Sequence, residues 1–229
     1  DQKTIKMRAI APGSYAMGSM GEGFQNKGVQ SPQHEVYVDA FWMSEKEISW
    51  EIYQEFLYRE KDHIRADDYG DLVLEIDGLS AATMPYVNFN ITSHPVIDVT
   101  QYAASMFCKW LSAKTGRFYR LPTEAEWEKA SRGGLVGKLY PWGDGSSGAA
   151  TKLNYGKTPG KALVVGQFAS NGFALYDIAG NLGEWTWDWY GAYSADSQSN
   201  PRGPESGTDR VYRGGSWWHD IYRARCAHR

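Results

Sequence analysis

Apolar positions recur at helical spacing in only three stretches of this chain. From Ser49 to about Arg59, Ile52, Tyr53 and Phe56 fall on one face, behind a serine able to cap the first turn. From about Thr100 to Lys114, Ala103, Phe107, Trp110 and Leu111 keep the same spacing, with Cys108 beside the stripe, and Gly116 ends the run. A third, shorter helix is predicted after Pro122, where Thr123 and Glu126 stand in the T-x-x-E arrangement of a capping box. Strand-like segments are short. Met7 and Ile10 precede a Pro12-Gly13 turn, Tyr15 to Gly18 follow it, and His34 to Val38 alternates polar and apolar. The loop between them, residues 19–33, is rich in Gly, Ser, Gln and Asn.

From Gly133 onward helical spacing is absent, and glycines, prolines and short apolar runs continue to the end. Trp185, Trp187 and Trp189 alternate with Thr186 and Asp188, the period of a strand, and Trp185 is expected in the core. Helices in the first half and irregular β structure in the second predict one α+β domain over residues 1–229. Residues 62–95 read as a long polar insertion, a functional segment or an interface.

Composition narrows the partners. Twenty-five glycines, 10 tryptophans and 15 tyrosines suit a loop-rich fold braced by flat aromatic rings. A net charge of -3 without a charged tail argues against nucleic acid. No apolar run nears the roughly 18 residues of a membrane span, so no transmembrane segment is expected. Cys108 and Cys226 are too few for a disulfide framework. The start at Asp1 reads as a processed end, which leads to the expectation of an exported protein, periplasmic, cell-surface or extracellular.

Several long motifs occur in order. They are Pro12-Gly-Ser-Tyr-Ala-Met-Gly18, Arg120-Leu-Pro-Thr-Glu-Ala-Glu-Trp-Glu128 with Arg132-Gly-Gly134, and Tyr140-Pro-Trp-Gly143. Asn171-Gly-Phe-Ala-Leu-Tyr-Asp-Ile-Ala-Gly-Asn181, Glu184-Trp185 and Arg210-Val-Tyr-Arg-Gly-Gly-Ser-Trp217 follow. Together they cover nearly the whole chain, which resembles the formylglycine-generating enzymes (sulfatase-modifying factors). The resemblance implies a variant of the C-type lectin fold rich in irregular structure. It does not fix a function, because the family includes copper-dependent oxidases, a pyoverdine-maturation enzyme and hypervariable ligand-binding proteins.

The oxidases bind copper through two cysteines shortly after the Gly-Gly-Ser motif, soft thiolates suited to that metal. In this chain His219 stands near the first of those positions and Ile221 near the second. By the same resemblance Cys226 and Cys108 match structural cysteines. Ala130 occupies the place of one partner, and the place of the other lies beyond Arg229. Two readings of His219 and Cys226 stay open: a substitute metal site, or a surface histidine and a buried free thiol. No G-x-S-x-G elbow surrounds Ser216.

The resemblance also implies a calcium site, transferred to Asp177 and Glu184 by their side chains and to Gly180 and Leu182 by their carbonyls, a hard-oxygen set that suits calcium. At a second family calcium site Asn154 and Tyr155 match, but the acidic loop supplying the other ligands is missing. Ser216, Trp217 and Trp218 fall where the family lines its substrate groove, exposed aromatics there are typical binding anchors, and His219 and Tyr222 join them as candidate ligand-binding residues. Arg225 and Arg229 are expected to anchor carbonyls and carboxylates. The leading expectation is a non-catalytic binding or scaffold protein with structural calcium and without copper. It would take a protein or peptide ligand through an aromatic groove as part of a cell-surface assembly. The alternative is a metal-dependent oxidase or maturation enzyme with a divergent site.

Overall fold

Local signals place the helices. In the computed structural model, which describes residues 3–20, 29–58 and 92–229, three α-helices form where the spacing predicts them. Helix α1 spans Trp50–Leu57, α2 Gln101–Thr115 and α3 Glu124–Arg132. Thr100 caps α2 by accepting the Ala103 N–H, and Gly116 closes it at φ 67°. Thr123 and Glu126 form the full capping box of α3. Ser49 precedes α1 without making a side-chain cap. The insertion expected over 62–95 lies outside the described residues as far as residue 91, as do the last residue expected of α1 and the middle of the 19–33 loop.

Among the described residues seven short strands accompany the helices: β1 Met7–Ile10, β2 Gly13–Met17, β3 His34–Val38, β4 Phe41–Ser44, β5 Glu184–Trp189, β6 Gln198–Ser199 and β7 Arg210–Arg213. The strands flanking the Pro12-Gly13 turn do not pair with each other. Strand β1 runs antiparallel to β4, and β2 antiparallel to β3, which takes β6 in parallel on its other edge. Strands β5 and β7 form a separate antiparallel ribbon with a bulge between Trp185 and Trp189. The mixture of helix, short strand and much irregular chain is the α+β architecture expected.

The chain divides into two compact units. One holds residues 1–4 and 48–121. Its described core is aromatic: Tyr53, Phe56, Phe107 and Trp110 pack with ring centroids 5.4–5.9 Å apart where α1 meets α2. The other unit holds residues 5–47 and 122–229, and every residue of its α3 is buried. Ile10, Met43, Trp127, Ala130, Leu175 and Ile178 form one cluster there, and Met17, Val36, Val38 and Ala125 a second. All the candidate site residues lie in this second unit.

Candidate functional site

The Arg120–Glu128 motif is a scaffold. Glu128, fully buried on α3, accepts from the Gly18 N–H at 2.9 Å and from Arg132 Nη2 at 2.6 Å, and it pairs with Arg213 of β7. Arg213 reaches on to the His228 carbonyl at 2.6 Å. One turn earlier, Glu124 accepts from Arg229 at 2.9 Å and from the Tyr193 hydroxyl at 3.1 Å. Arg229 also donates to the Gly191 carbonyl at 2.7 Å, so it anchors a carbonyl and a carboxylate. Lys129 ties α3 to β2 by donating to Gly13 at 2.8 Å. Buried charges persist only when paired this fully. These residues join α3 to the end of the chain and present no reactive group to solvent.

The second motif folds into a knot of left-handed turns. Asp177, Gly180 and Asn181 all have φ between 56° and 79°. The Asn171 carboxamide accepts from the N–H groups of Phe173 and Leu175 and sets the first turn. Asn181, 1% exposed, accepts from Leu163 N–H at 2.8 Å and Asn154 Nδ2 at 3.0 Å, and donates to Glu47 at 2.6 Å. Glu47 also accepts from the Leu182 N–H at 2.9 Å. A Cβ at Gly180 would lie 2.5 Å from the Asn154 carbonyl, so the close approach requires glycine.

Carboxylates crowd this knot. Burial pushes Glu47 well above its usual range, and the charges of Asp177 and Glu184 push it further. Although the Glu184 residue is only half-buried, the loss of water around its carboxyl carries it to about 7, against a 2.6 Å hydrogen bond from the Trp127 indole. Burial raises Asp177 as well, while the Gly166 N–H and Lys46 oppose the shift. Among the described residues no three His, Cys, Asp or Glu side chains converge as a metal cage. The set implied by the family is different: two carboxylates with an oxygen each to spare, and the Gly180 and Leu182 carbonyls, which accept none of the described hydrogen bonds. Desolvated carboxylates that repel one another, with unused carbonyls beside them, fit a hard cation.

The residues expected to line a groove lie on the loop after β7 and the 3-10 turn Ile221–Ala224. Ser216 Oγ and His219 Nδ1 are 2.9 Å apart. Trp217 and Trp218 meet edge to face with centroids 5.5 Å apart, and Trp218 is 55% exposed. This segment is laced to a neighbouring loop, for Lys157 N–H donates to the Trp217 carbonyl at 2.7 Å and Gly156 N–H to that of His219 at 2.9 Å. The Lys157 ammonium sits 4.0 Å from the centre of the Trp218 ring. Tyr222 packs against His228, centroids 5.7 Å apart. The structure thus brings Ser216 to His219 and Trp217 to Trp218 on one half-exposed segment.

The description that matches this chain is the sulfatase-modifying factor enzyme 1-like domain, and the match runs over residues 1–229. The chain belongs to the sulfatase-modifying factor family. It is 31% identical over 267 residues to the formylglycine-generating enzyme of Mus musculus, covering 98% of this chain and 70% of that protein. It is 38% identical over 133 residues to a Bos taurus protein named inactive C-alpha-formylglycine-generating enzyme 2, covering 54% of this chain and 38% of that one. Among solved structures, PvdO from Pseudomonas aeruginosa superposes with a TM-score of 0.76 at 24% identity, covering 97% and 86% of the two chains. That likeness establishes the formylglycine-generating-enzyme-like fold.

Within this sulfatase-modifying factor fold both cysteines are free. Burial pushes the Cys226 thiol up to about 11 and the Cys108 thiol up to about 12. Cys226 is 1% exposed and hydrogen-bonds Ser131, while His219 pairs with Ser216, so the thiol and the imidazole each have another partner. Burial and Arg223 lower the His219 pKa.

Trp185 is not in the core. On β5 it is Thr186 and Asp188 that are buried, with Trp187 44% exposed and Trp185 and Trp189 half-buried. Asp188 accepts from the Glu124 N–H at 2.6 Å and Thr186 donates to the Val211 carbonyl at 3.0 Å, so the two polar side chains face inward. Glu47 and Asn181 were not identified from sequence as site residues; their only signal was an unexplained acid before α1 and an asparagine inside a glycine-rich turn.

His228 yields a prediction about pH. It is 5% exposed, and burial, then Arg223, Arg225, Arg213 and His219, drive it down to about 3. An unfolded histidine titrates near 6.5. The contribution is therefore fully present above about pH 6.5 and is lost as pH falls toward 3, by about 1.4 kcal/mol per pH unit. Glu184, carried up to about 7, works in the opposite sense over the same range, so the test is a difference: in urea unfolding the native protein is expected to lose about 2 kcal/mol relative to His228→Gln between pH 7 and pH 5. Equal slopes in the two proteins would contradict the assignment.

Proposed function

We propose that this protein is a non-catalytic binding or scaffold member of its family, taking a protein or peptide ligand on the segment Ser216 to Tyr222. The observation that carries the reading is the pairing of a half-exposed Trp217–Trp218 surface with a Cys226 thiol that is buried and protonated at neutral pH. A rigid aromatic on a loop fixed at its backbone is a suitable anchor, since little freedom is lost when a partner covers it. The relative named inactive supports the same direction for a chain of this family.

Calcium belongs to this proposal as a structural ion. Asp177, Glu184, Gly180 and Leu182 would hold it, with Glu47 fixing the Leu182 N–H and the Asn181 amide behind them. The ion would supply positive charge among carboxylates that otherwise repel. A site with two charged ligands is suited to the high calcium concentrations outside the cytosol, which accords with an exported, cell-surface setting.

The test is a selection from an immobilised peptide library, followed by binding measurements on variants. Cys226→Ser is expected to bind within about twofold of the native protein, and Trp218→Ala to lose about tenfold or more. The alternative, an oxidase, predicts copper- and oxygen-dependent conversion of a cysteine-containing peptide that Cys226→Ser abolishes. That result would overturn the binding reading.

A further inference from the structure

The charge around the aromatic segment runs against that of the chain. The protein carries a net charge of -3, yet residues 149–165 contain Lys152, Lys157 and Lys161 and no acid. Residues 214–229 contain Arg223, Arg225 and Arg229 against Asp220. Arg229 is spent on Glu124. Among the described residues no carboxylate pairs with Lys157 or Arg223; their contacts there are aromatic faces, Trp218 at 4.0 Å and Tyr222 at 5.8 Å. The two segments are one surface, because the backbone hydrogen bonds from Gly156 and Lys157 to His219 and Trp217 hold them together. Beneath it His228 is buried with Nε2 unpaired, kept neutral by burial and by the surrounding guanidinium groups.

We infer that this surface takes an acidic peptide segment of a protein partner, with carboxylates meeting Lys157 and Arg223 and an apolar or aromatic side chain lying against Trp217 and Trp218. The inference rests on the binding reading above and names the chemistry of the occupant. Cations held on aromatic faces keep their charge toward solvent without an internal partner, so a carboxylate arriving there gains attraction without first breaking an ion pair. The same positive face would repel a lysine-rich segment. A nucleic-acid occupant is disfavoured because the face of the Trp218 ring under the Lys157 ammonium is closed to a stacking base.

The experiment uses the full chain and fluorescence polarisation. Three short labelled peptides share Leu and Tyr at alternate positions and carry Glu, Lys or Ser at the others, and oligodeoxythymidine of matching length is the fourth probe. The Glu peptide is expected to bind about tenfold or more tighter than the Lys peptide, and to weaken with salt. Reversing both charges, Lys157→Glu with Arg223→Glu, is expected to invert that order. Equal or tighter binding of the Lys or Ser peptide overturns the inference, as does tighter binding of the oligonucleotide. If the Lys or Ser peptide binds and Trp218→Ala abolishes it, the surface is a binding site and only its charge preference is misassigned. If no peptide binds, both readings fail.

Discussion

Glu128→Ala is expected to lower the melting temperature of this protein by about 6–20 °C. The side chain has no exposure and closes a network in which Arg132 and Arg213 both depend on its two oxygens. Removing it takes the nearest carboxylate from two guanidinium groups, one of them fully buried, whose remaining hydrogen bonds go to carbonyls, and leaves the Gly18 N–H unpaired. Breaking a buried pair from one side costs about 3–5 kcal/mol, and a protein of this size shifts by about 2–4 °C per kcal/mol. The loss is a large share of the usual total stability of about 5–15 kcal/mol. Glu128→Gln is expected to be milder, since it keeps hydrogen-bond acceptance while giving up the charge. Differential scanning calorimetry measures both; a shift of under about 3 °C for the alanine variant would mean that the network is not what joins α3 to β7.

Calcium is expected to have the next largest effect. At a free concentration a hundredfold above its dissociation constant, a ligand of the native state adds about 2.7 kcal/mol, or about 5–10 °C in melting temperature here. Dialysis against a chelator should remove that increment, and Glu184→Gln should remove it without chelator. The variant also loses one of the mutually repelling carboxylates, so its metal-free form should be no less stable than the metal-free native protein. Identical melting temperatures in calcium and in chelator would sink the proposed site.

The parts of this molecule legible in the sequence are those governed by local chemistry. The capping box at Thr123 and the glycine stop at Gly116 act within a few residues, and both stand in the structure as read. Strand β4 escaped notice because Phe41, Trp42, Met43 and Ser44 show no alternation; its pairing with β1 is set by the distant Met7–Ile10 segment. The tryptophan row illustrates a different limit. Its period of two was correct, but period does not say which face is inward. That was decided by Asp188, which is needed at the first turn of α3, and by Thr186. Glu47 was invisible for the same reason: its two acceptor bonds go to Asn181 and Leu182, far along the chain. Trp217 and Trp218 were singled out through the motif that precedes them, and the structure places the two rings together on a half-exposed segment. The Lys157 that covers Trp218 was not, because a lysine in a glycine-rich loop carries no signal of its own.

The family to which this chain belongs is broad enough that fold does not decide activity, and the thiols do more to separate the readings than any other groups. A copper oxidase needs ionised, accessible sulfur. Cys226 is buried and held near 11, and Cys108 near 12. Metal analysis of the purified native protein by plasma mass spectrometry, with no metal added, tests this most directly. The account predicts calcium near one per chain and copper and iron far below stoichiometry. Copper or iron close to one per chain would contradict it and point to an oxidase centre on this fold.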